Sequence, residues 1–177
     1  MAAKSKPPRY DLPNAAPEPL RLVQLFVNTV NLESGDDWLD RWLDEQRLKP
    51  TPRELEHARE VREALRQLLY ANNRQRVEGK PVETLNAAAA QAGFRLDFER
   101  RELVPAAQGV SGLLGRVLAV AFLAMTDGTW VRLKSCRNHH CRWAFYDESR
   151  NRSAQWCSMQ LCGNRTKTRS YRARHRA

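Results

Sequence analysis

All four cysteines of the chain lie in its last quarter, in two pairs of equal spacing. Four residues separate the members of each pair and fifteen separate the pairs; the positions are Cys136, Cys141, Cys157 and Cys162. A tetrahedral Zn²⁺ site fits this pattern, because each pair supplies two thiolates from one turn and the chain between them brings the turns together. Four thiolates leave no open position for water, so the pattern predicts a structural zinc rather than a catalytic one.

Two alternatives compete with this site. Free cysteine behaves as a small hydrophobe, so four buried thiols would need no metal. Their polar surroundings, and the lack of cysteine in residues 1–135, argue against that interpretation. His139 and His140 lie inside the first pair and are competing zinc ligands. We expect both histidines instead to be exposed, close to the ligand that the adjoining basic surface binds.

Positive charge is concentrated around the cysteines. Residues 1–131 carry 18 Lys and Arg against 18 Asp and Glu, whereas residues 132–177 carry 12 against 2. The whole net charge of +10 therefore lies in the last quarter. This asymmetry predicts a polyanionic partner, DNA or alternatively RNA, for that end of the chain.

Composition also bears on location. The N-terminal stretch is broken by prolines and has no apolar run long enough for a secretion signal. The longest strongly apolar run, Val117 to Met125, is about half a membrane span. Clustered cysteines in a reducing compartment usually hold metal. We therefore expect a cytoplasmic, nucleoid-associated protein that does not enter a membrane.

The segments around the cysteines predict the elements that position them. TWVRLKS and RWAFYD both alternate apolar and polar residues, which predicts a β-hairpin with the first cysteine pair at its tip. Ser158 is expected to cap a helix whose first turn holds Cys162. At about 100° per residue, that helix carries one ridge of arginines, namely Arg165, Arg169, Arg172 and Arg176.

Such a ridge is repulsive, because like charges four residues apart destabilise an isolated helix. Zinc is therefore expected to start and orient the helix, and phosphates to order it. A frayed basic tail that only aids solubility is the alternative. The predicted nucleic-acid contacts come from the hairpin and the helix: Arg142, Arg150, Arg152, Arg165, Lys167, Arg169, Arg172, Arg174 and Arg176. Asn164 and Arg165 have a second interpretation, in which they hydrogen-bond the backbone or sulfur beside Cys162.

The neutral part of the chain predicts a helical domain. Its expected elements are a disordered arm at 1–17, helices at 20–32, 37–48, 51–68, 82–93 and 110–125, and a half-buried strand or hairpin arm at 94–103. Thr51 and Glu54 form a capping box for the third helix. The last helix, apolar on nearly every side, is the expected core. The fold class is therefore mainly α, with this domain at 18–129 and a treble-clef-like zinc module at 130–177.

Asn28 and Thr29 are polar residues in the first predicted helix, which is otherwise apolar. They are candidates for lining a small-molecule effector pocket. The alternative is that they hydrogen-bond between packed helices, as buried polar groups usually do. The helical domain could also form a homodimer.

The run from Trp143 to Arg172 resembles the CGNR zinc finger, which is named for Cys162-Gly163-Asn164-Arg165. That resemblance implies that the four cysteines are the zinc ligands. The finger commonly follows a helical domain called ABATE, which Phe26-Val27-Asn28-Thr29 resembles here. An acid often precedes that motif, where this chain has Leu25. The resemblance implies a stress-induced bacterial transcription regulator that binds DNA.

Three classes of function are compatible with these patterns. The first is a zinc-dependent DNA-binding regulator. The second is an RNA-binding protein, for which exposed Trp143, Phe145 or Tyr146 would stack on bases. Burial against the neighbouring domain is the commoner fate of such residues. The third is an enzyme, with His57 among the candidate bases. We expect no enzyme, because the sequence has no H-E-x-x-H, nucleophile elbow or phosphate loop.

Overall fold

The computed structural model describes residues 14–168 and is mainly helical. Its helices are α1 Arg21–Val27, α2 Leu39–Glu45, α3 Pro52–Asn72, α4 Pro81–Ala92 and α5 Gly109–Asp127. Two antiparallel hairpins complete the fold: β1 Phe94–Asp97 with β2 Glu102–Pro105, and β3 Leu133–Ser135 with β4 Ala144–Tyr146. The predicted fold class, a helical domain with a hairpin followed by a small cysteine-rich module, is confirmed.

Helix α3, with 21 residues, is the longest of the described helices and starts as predicted. The Thr51 side chain accepts a hydrogen bond from Glu54 N (3.3 Å), and the Glu54 carboxylate accepts one from Thr51 N (2.8 Å). Pro52 occupies the first turn, where its missing N–H costs nothing. The predicted apolar stripe packs into the core through Ala58, Val61 and Leu65.

Helix α1 ends earlier than predicted. It stops at Val27, Asn28 forms its C-terminal cap, and Thr29 lies in a turn. The Thr29 hydroxyl donates to Phe26 O (2.8 Å), so a side chain takes up a carbonyl that a longer helix would have used. Val30 then forms a β-bridge with Asp37, which turns the chain toward α2.

Helix α5 is the predicted core helix. By length and composition it could cross a membrane, but 56% of its apolar window is buried inside the molecule, as in a helix that forms a core. Val110, Leu114 and Val117 are almost fully buried. Its last turns are less covered than predicted, because Phe122 and Met125 are exposed.

The first hairpin forms where predicted, but its burial differs from the prediction. Leu96 is 67% exposed, so the period-two pattern marks a strand without marking a buried face. The reason is that β2, rather than β1, packs on α5. A Cβ at Gly115 would lie 2.8 Å from the Cβ atoms of Ala92 and Pro105, so only glycine admits this approach. Strand β1 is left as the outer strand.

The C-terminal module packs closely on the helices. Leu133 and Ala144, from the second hairpin, lie in the same buried cluster as the helical core. Of the arm predicted at 1–17, residues 14–17 are described. Asn14 accepts a hydrogen bond from Tyr146 N (3.0 Å) and donates to Cys157 O (3.1 Å). The domain boundary predicted between residues 129 and 130 stays a prediction.

Candidate metal centre

The sulfur atoms of Cys136, Cys141, Cys157 and Cys162 all lie within 4.8 Å of one another, and all four residues are buried. Cys157 Sγ is 3.7 Å from Cys141 Sγ and 3.6 Å from Cys162 Sγ. These distances are too long for a disulfide, whose sulfurs are about 2.05 Å apart. Sulfurs bound at about 2.3 Å to one tetrahedral zinc lie about 3.8 Å apart. The cluster therefore fits a small zinc-binding module.

The four thiols shift one another's pKa values in both directions: contact with Cys136, Cys141 and Cys157 lowers the pKa of Cys162, whereas the pKa values of Cys136 and Cys157 are raised. Contact with the Cys141 thiol, together with burial, raises the pKa of Cys136. Contact with the Cys136 thiol likewise raises the pKa of Cys157. Thiolates packed this closely would repel one another, so a divalent cation between them stabilises the ionised forms.

The first cysteine pair lies in a knuckle at the tip of the β3–β4 hairpin, as predicted. Asn138 organises it: its carbonyl accepts hydrogen bonds from Cys141 N (2.8 Å) and Arg142 N (2.9 Å), and its amide lies 3.9 Å from Cys162 Sγ. The sequence analysis did not single out Asn138. His139 and His140 are exposed, with ring centroids 4.1 Å apart, and both lie outside the sulfur cluster.

The second pair lies at a helix start, also as predicted. Ser158 caps it by accepting a hydrogen bond from Leu161 N (3.2 Å), and Cys162 lies in the turn that follows. The first turn, Met159–Gly163, is a π-turn, and residues 164–168 continue as α-helix. A Cβ at Gly163 would come within 2.8 Å of Met159 Sδ, at the end of a flexible side chain that is 51% exposed.

A buried ion pair supports the loop between the two cysteine pairs. Lys134 Nζ donates to Asp147 Oδ2 (2.6 Å) and to the carbonyl of Arg152 (2.6 Å). Asp147 also accepts from the amide (2.9 Å) and hydroxyl (2.6 Å) of Ser149 and from Ala154 N (3.0 Å). Burial raises the pKa of Asp147, but the Lys134 and Ser149 bonds outweigh it, so the net pKa is lowered.

Helix α3 holds the module from the other side. Asn72 donates to the carbonyls of Trp130 and Leu133, each at 2.8 Å. Asn73 donates to Ser135 O (2.8 Å) and Gln155 O (2.9 Å). Its two amide hydrogens therefore join the hairpin to the loop that leads into Cys157.

Arg66 makes a third link between α3 and the module. Its guanidinium is buried and donates to the carbonyls of Val27 and Arg142 and to Glu63. Burial lowers the pKa of Arg66, and the Glu63 carboxylate opposes that shift. Sequence reasoning missed Arg66, Asn72 and Asn73. One signal for Arg66 was available in the sequence. Arg66 lies on the same side of α3 as Leu65 and Leu69, which indicates that its side chain faces the core.

Asn28 and Thr29, the candidate pocket residues, are both buried and hydrogen-bonded within the protein. The Asn28 side chain donates to Ala144 O (2.9 Å) and accepts from Ala144 N (2.7 Å), so it pairs with β4 as a strand would. Thr29 Oγ1 accepts from Arg62 (3.1 Å). These contacts favour the alternative in which both residues hydrogen-bond between packed elements.

The predicted nucleic-acid contacts are only partly described. Arg150, Arg152, Arg165 and Lys167 are exposed, whereas Arg169, Arg172, Arg174 and Arg176 lie outside the described residues. The guanidinium of Arg142 lies 4.6 Å from the ring centre of Tyr70, and its Nε is buried without a hydrogen-bond partner among residues 14–168. Arg142 therefore differs from the exposed arginines and contacts the protein itself. Arg165 forms an ion pair with Glu33.

The aromatic side chains predicted to stack on RNA are covered. Trp143 is 4% exposed and Phe145 is 2% exposed, and both pack with the cysteines in a second buried cluster. Tyr146 is half-buried. The alternative to RNA stacking, burial, therefore applies to Trp143 and Phe145, which supply the small apolar core that the cysteines share.

Fold and site together define a helical domain carrying a four-cysteine module of the zinc-finger class. Residues 132–175 match the CGNR zinc finger. Residues 20–136 match the ABATE family, whose description is "Putative stress-induced transcription regulator". The chain belongs to the ABATE family and carries a CGNR zinc finger. A search of curated proteins found no match.

Proposed function

We propose that the protein is a bacterial transcription regulator in which Cys136, Cys141, Cys157 and Cys162 hold one Zn²⁺ and the finger binds DNA. The observation that carries this proposal is the buried sulfur cluster at the start of a helix with exposed cations. The two families are described as a regulator and a zinc finger, which supports a non-enzymatic, cytoplasmic role close to the nucleoid.

The role of zinc would be structural rather than catalytic. Bound to the four thiolates, it would neutralise their charge and join the hairpin knuckle to the start of the last helix. The protein side of this arrangement is in place: Ser158 caps the helix and Asn138 orients the knuckle. Arg165 and Lys167 follow within the next turn and are directed to solvent.

The DNA surface would combine two segments. Arg150 and Arg152 lie on the loop after β4, and Arg165 and Lys167 lie on the last helix. Beyond the described residues, the sequence adds Arg169, Arg172, Arg174 and Arg176. About five phosphate contacts would give a slope of log affinity against log salt of roughly −4 to −5.

Binding of a short mixed-sequence duplex, measured by fluorescence anisotropy over a salt series, tests this surface. The double variant Arg165→Gln/Lys167→Gln should weaken binding at every salt concentration and make the slope shallower by about 1.8. Arg116→Gln is the matched control, because Arg116 is an exposed cation on α5. Equal slopes for the wild type and the double variant, or an equal loss in the control, would contradict the proposal.

Single-stranded RNA is the second arm of the same experiment. RNA modules hold unpaired bases on exposed aromatic rings, and the burial of Trp143 and Phe145 removes two of the three candidate rings. We therefore expect duplex DNA to displace single-stranded RNA of the same length. Stronger binding of the RNA would instead favour an RNA-binding function.

The ion pair between Glu33 and Arg165 gives a separate prediction. Both side chains are partly exposed, so the pair stabilises the structure by less than about 1 kcal/mol. DNA that contacts Arg165 must compete with this pair. Glu33→Gln is therefore expected to tighten duplex binding about two- to fivefold at low salt, and the gain should disappear at high salt.

Asp36→Asn is the matched control for Glu33→Gln. Asp36 lies in the same loop and bonds to Ser34 (2.7 Å). Both variants remove one negative charge, so only the difference between them reports the pairing with Arg165. Equal gains in both variants would show that loop charge, and not this ion pair, governs affinity.

A further inference from the structure

Strand β1 has a free hydrogen-bonding edge. The bond from Ala106 N to Gly93 O (2.9 Å) means that the next pair along the ladder, Phe94 with Pro105, exchanges no ladder bonds. Pairs with and without ladder bonds alternate along an antiparallel ladder, so the pair of Leu96 with Leu103 exchanges no ladder bonds either. The N–H and C=O groups of Phe94 and Leu96 therefore point away from β2. Within residues 14–168 they make no backbone hydrogen bond to a turn, a loop or another element.

The same strand and the turn residue that follows it carry large apolar side chains into solvent. Phe98 is 84% exposed, Leu96 is 67% exposed and Phe94 is 37% exposed. An unpaired edge with apolar residues is a template for another strand, and natural proteins normally cover or charge such an edge. Here β2 packs against α5, and none of the elements formed by residues 14–168 covers the outer edge of β1.

The residues of this edge are complementary to themselves. Residues 94–98 have the sequence Phe-Arg-Leu-Asp-Phe. If two copies pair antiparallel about an axis at Leu96, Phe94 faces Phe98 of the other copy, Arg95 faces Asp97, and Leu96 faces Leu96. Every apolar residue then meets an apolar residue, and the Arg95–Asp97 pair forms twice.

The backbone supports the same register. A pair formed by Leu96 with itself would use the outward groups and exchange hydrogen bonds. Phe94 would meet Phe98, a turn residue just past the end of β1, through its side chain. Arg95 and Asp97 would then fall in the pairs without ladder bonds, where facing side chains are closest. An axis at Arg95 or at Asp97 would set like charges opposite each other, which is unfavourable.

We propose that β1 is a self-association edge through which two copies of this chain join their hairpins into one four-stranded antiparallel sheet. The contact is isologous, so it closes at two copies and does not extend into fibres. The edge is short, so the dimer is expected to be weak and dependent on concentration.

Charge reversal tests the proposal in the full chain by sedimentation equilibrium over a concentration series. Arg95→Asp places two aspartates opposite each other at both ends of the pairing and should weaken the dimer by about tenfold or more. Asp97→Arg should do the same with arginines. Glu99→Arg is the matched control, because Glu99 is an equally exposed charge of this hairpin that faces no charge in the register.

Mixing the two variants tests the register. A chain with aspartate at 95 and 97 pairs with a chain with arginine at both positions, so the mixture should recover a heterodimer of about wild-type affinity. Asp97 also accepts a hydrogen bond from Arg100 N (2.9 Å), so circular dichroism must confirm that Asp97→Arg folds. Arg95→Asp loses no such bond and remains decisive on its own.

Three results would overturn the proposal. The first is a wild-type chain that stays monomeric at the highest concentration reached. The second is a dimer that Arg95→Asp leaves intact, or that Glu99→Arg weakens equally. The third is loss of the dimer in both variants without recovery on mixing. The test does not depend on DNA binding, so it can fail while the proposed function holds.

Discussion

Cys157→Ser is expected to abolish stoichiometric zinc binding. Structural zinc contributes about 10–16 kcal/mol of apparent binding free energy in zinc-finger peptides near neutral pH, and each thiolate is part of that sum. Cys157 has two of the other sulfurs at 3.6 and 3.7 Å, so its loss opens the centre of the cluster. We expect less than one zinc per chain by metal analysis, and loss of duplex binding.

The unfolding caused by this change should be local. Leu133 and Ala144 belong to the core of the helical domain, so the base of the hairpin should keep its structure. Trp143 packs against the cysteines and should report the loss by its fluorescence. Hydrogen exchange should therefore rise in residues 136–142 and 157–168 while α3 stays protected.

His139→Ala and His140→Ala are the matched controls for the cysteine substitution. Both histidines lie within the first cysteine pair in sequence but outside the sulfur cluster. Each variant should keep one zinc per chain. A serine variant that still holds one zinc as tightly as the wild type, or a histidine variant that loses it, would contradict the four-cysteine assignment.

Asp147→Asn is expected to destabilise the protein by about 3–5 kcal/mol, the usual effect of breaking a buried ion pair from one side. The side chains of Lys134 and Asp147 are 5% and 0% exposed. All the groups that face Asp147 donate hydrogen bonds, so an asparagine NH₂ would face a donor and leave the ammonium of Lys134 unneutralised. Urea unfolding of the zinc-loaded protein measures the change.

Glu148→Gln controls for the charge change, because it removes a negative charge from the neighbouring, exposed residue. It should alter stability by less than about 0.5 kcal/mol. An equally small change in Asp147→Asn would mean that the ion pair makes no net contribution to the free energy of unfolding. A large loss in Glu148→Gln would point to general charge balance in this loop.

The stabilisation by Asp147 should depend on pH in one direction. Its pKa is lowered in the folded protein, because the Lys134 and Ser149 bonds outweigh the effect of burial. The stabilisation is therefore complete above the unfolded value of about 3.9 and is lost as the pH falls through the folded value. The difference in unfolding free energy between wild type and Asp147→Asn should thus stay constant at higher pH and narrow only in strong acid.

Local chemistry made much of the fold predictable from the sequence. The Thr51–Glu54 capping box and the paired cysteines each act over a few residues, and each appears where expected. The alternating segments around Cys136 and Cys141 pair as a hairpin over Leu133–Ser135 and Ala144–Tyr146, but Trp130–Arg132 forms a 3₁₀ helix instead of a strand. The cap at Ser158 is local in the same way. Such features need no knowledge of what packs against them.

The supports of the site were not predictable in this way because they join distant parts of the chain. Asn28 meets Ala144, 116 residues later, and Asn73 meets Gln155, 82 residues later. No local pattern marks an asparagine whose partner is a backbone carbonyl. The prediction that β1 is half-buried failed for the same reason. Alternation of apolar and polar residues predicts that a strand has two different faces, but not which strand of the hairpin contacts α5.

The central claim is that four cysteine thiolates hold a structural zinc, and X-ray absorption at the zinc edge of the purified protein tests it most directly. We predict one zinc per chain with four sulfur neighbours at about 2.3 Å and no nitrogen or oxygen in the first shell. A protein purified without zinc that fails to take it up, or a zinc with histidine or water among its ligands, would contradict the claim.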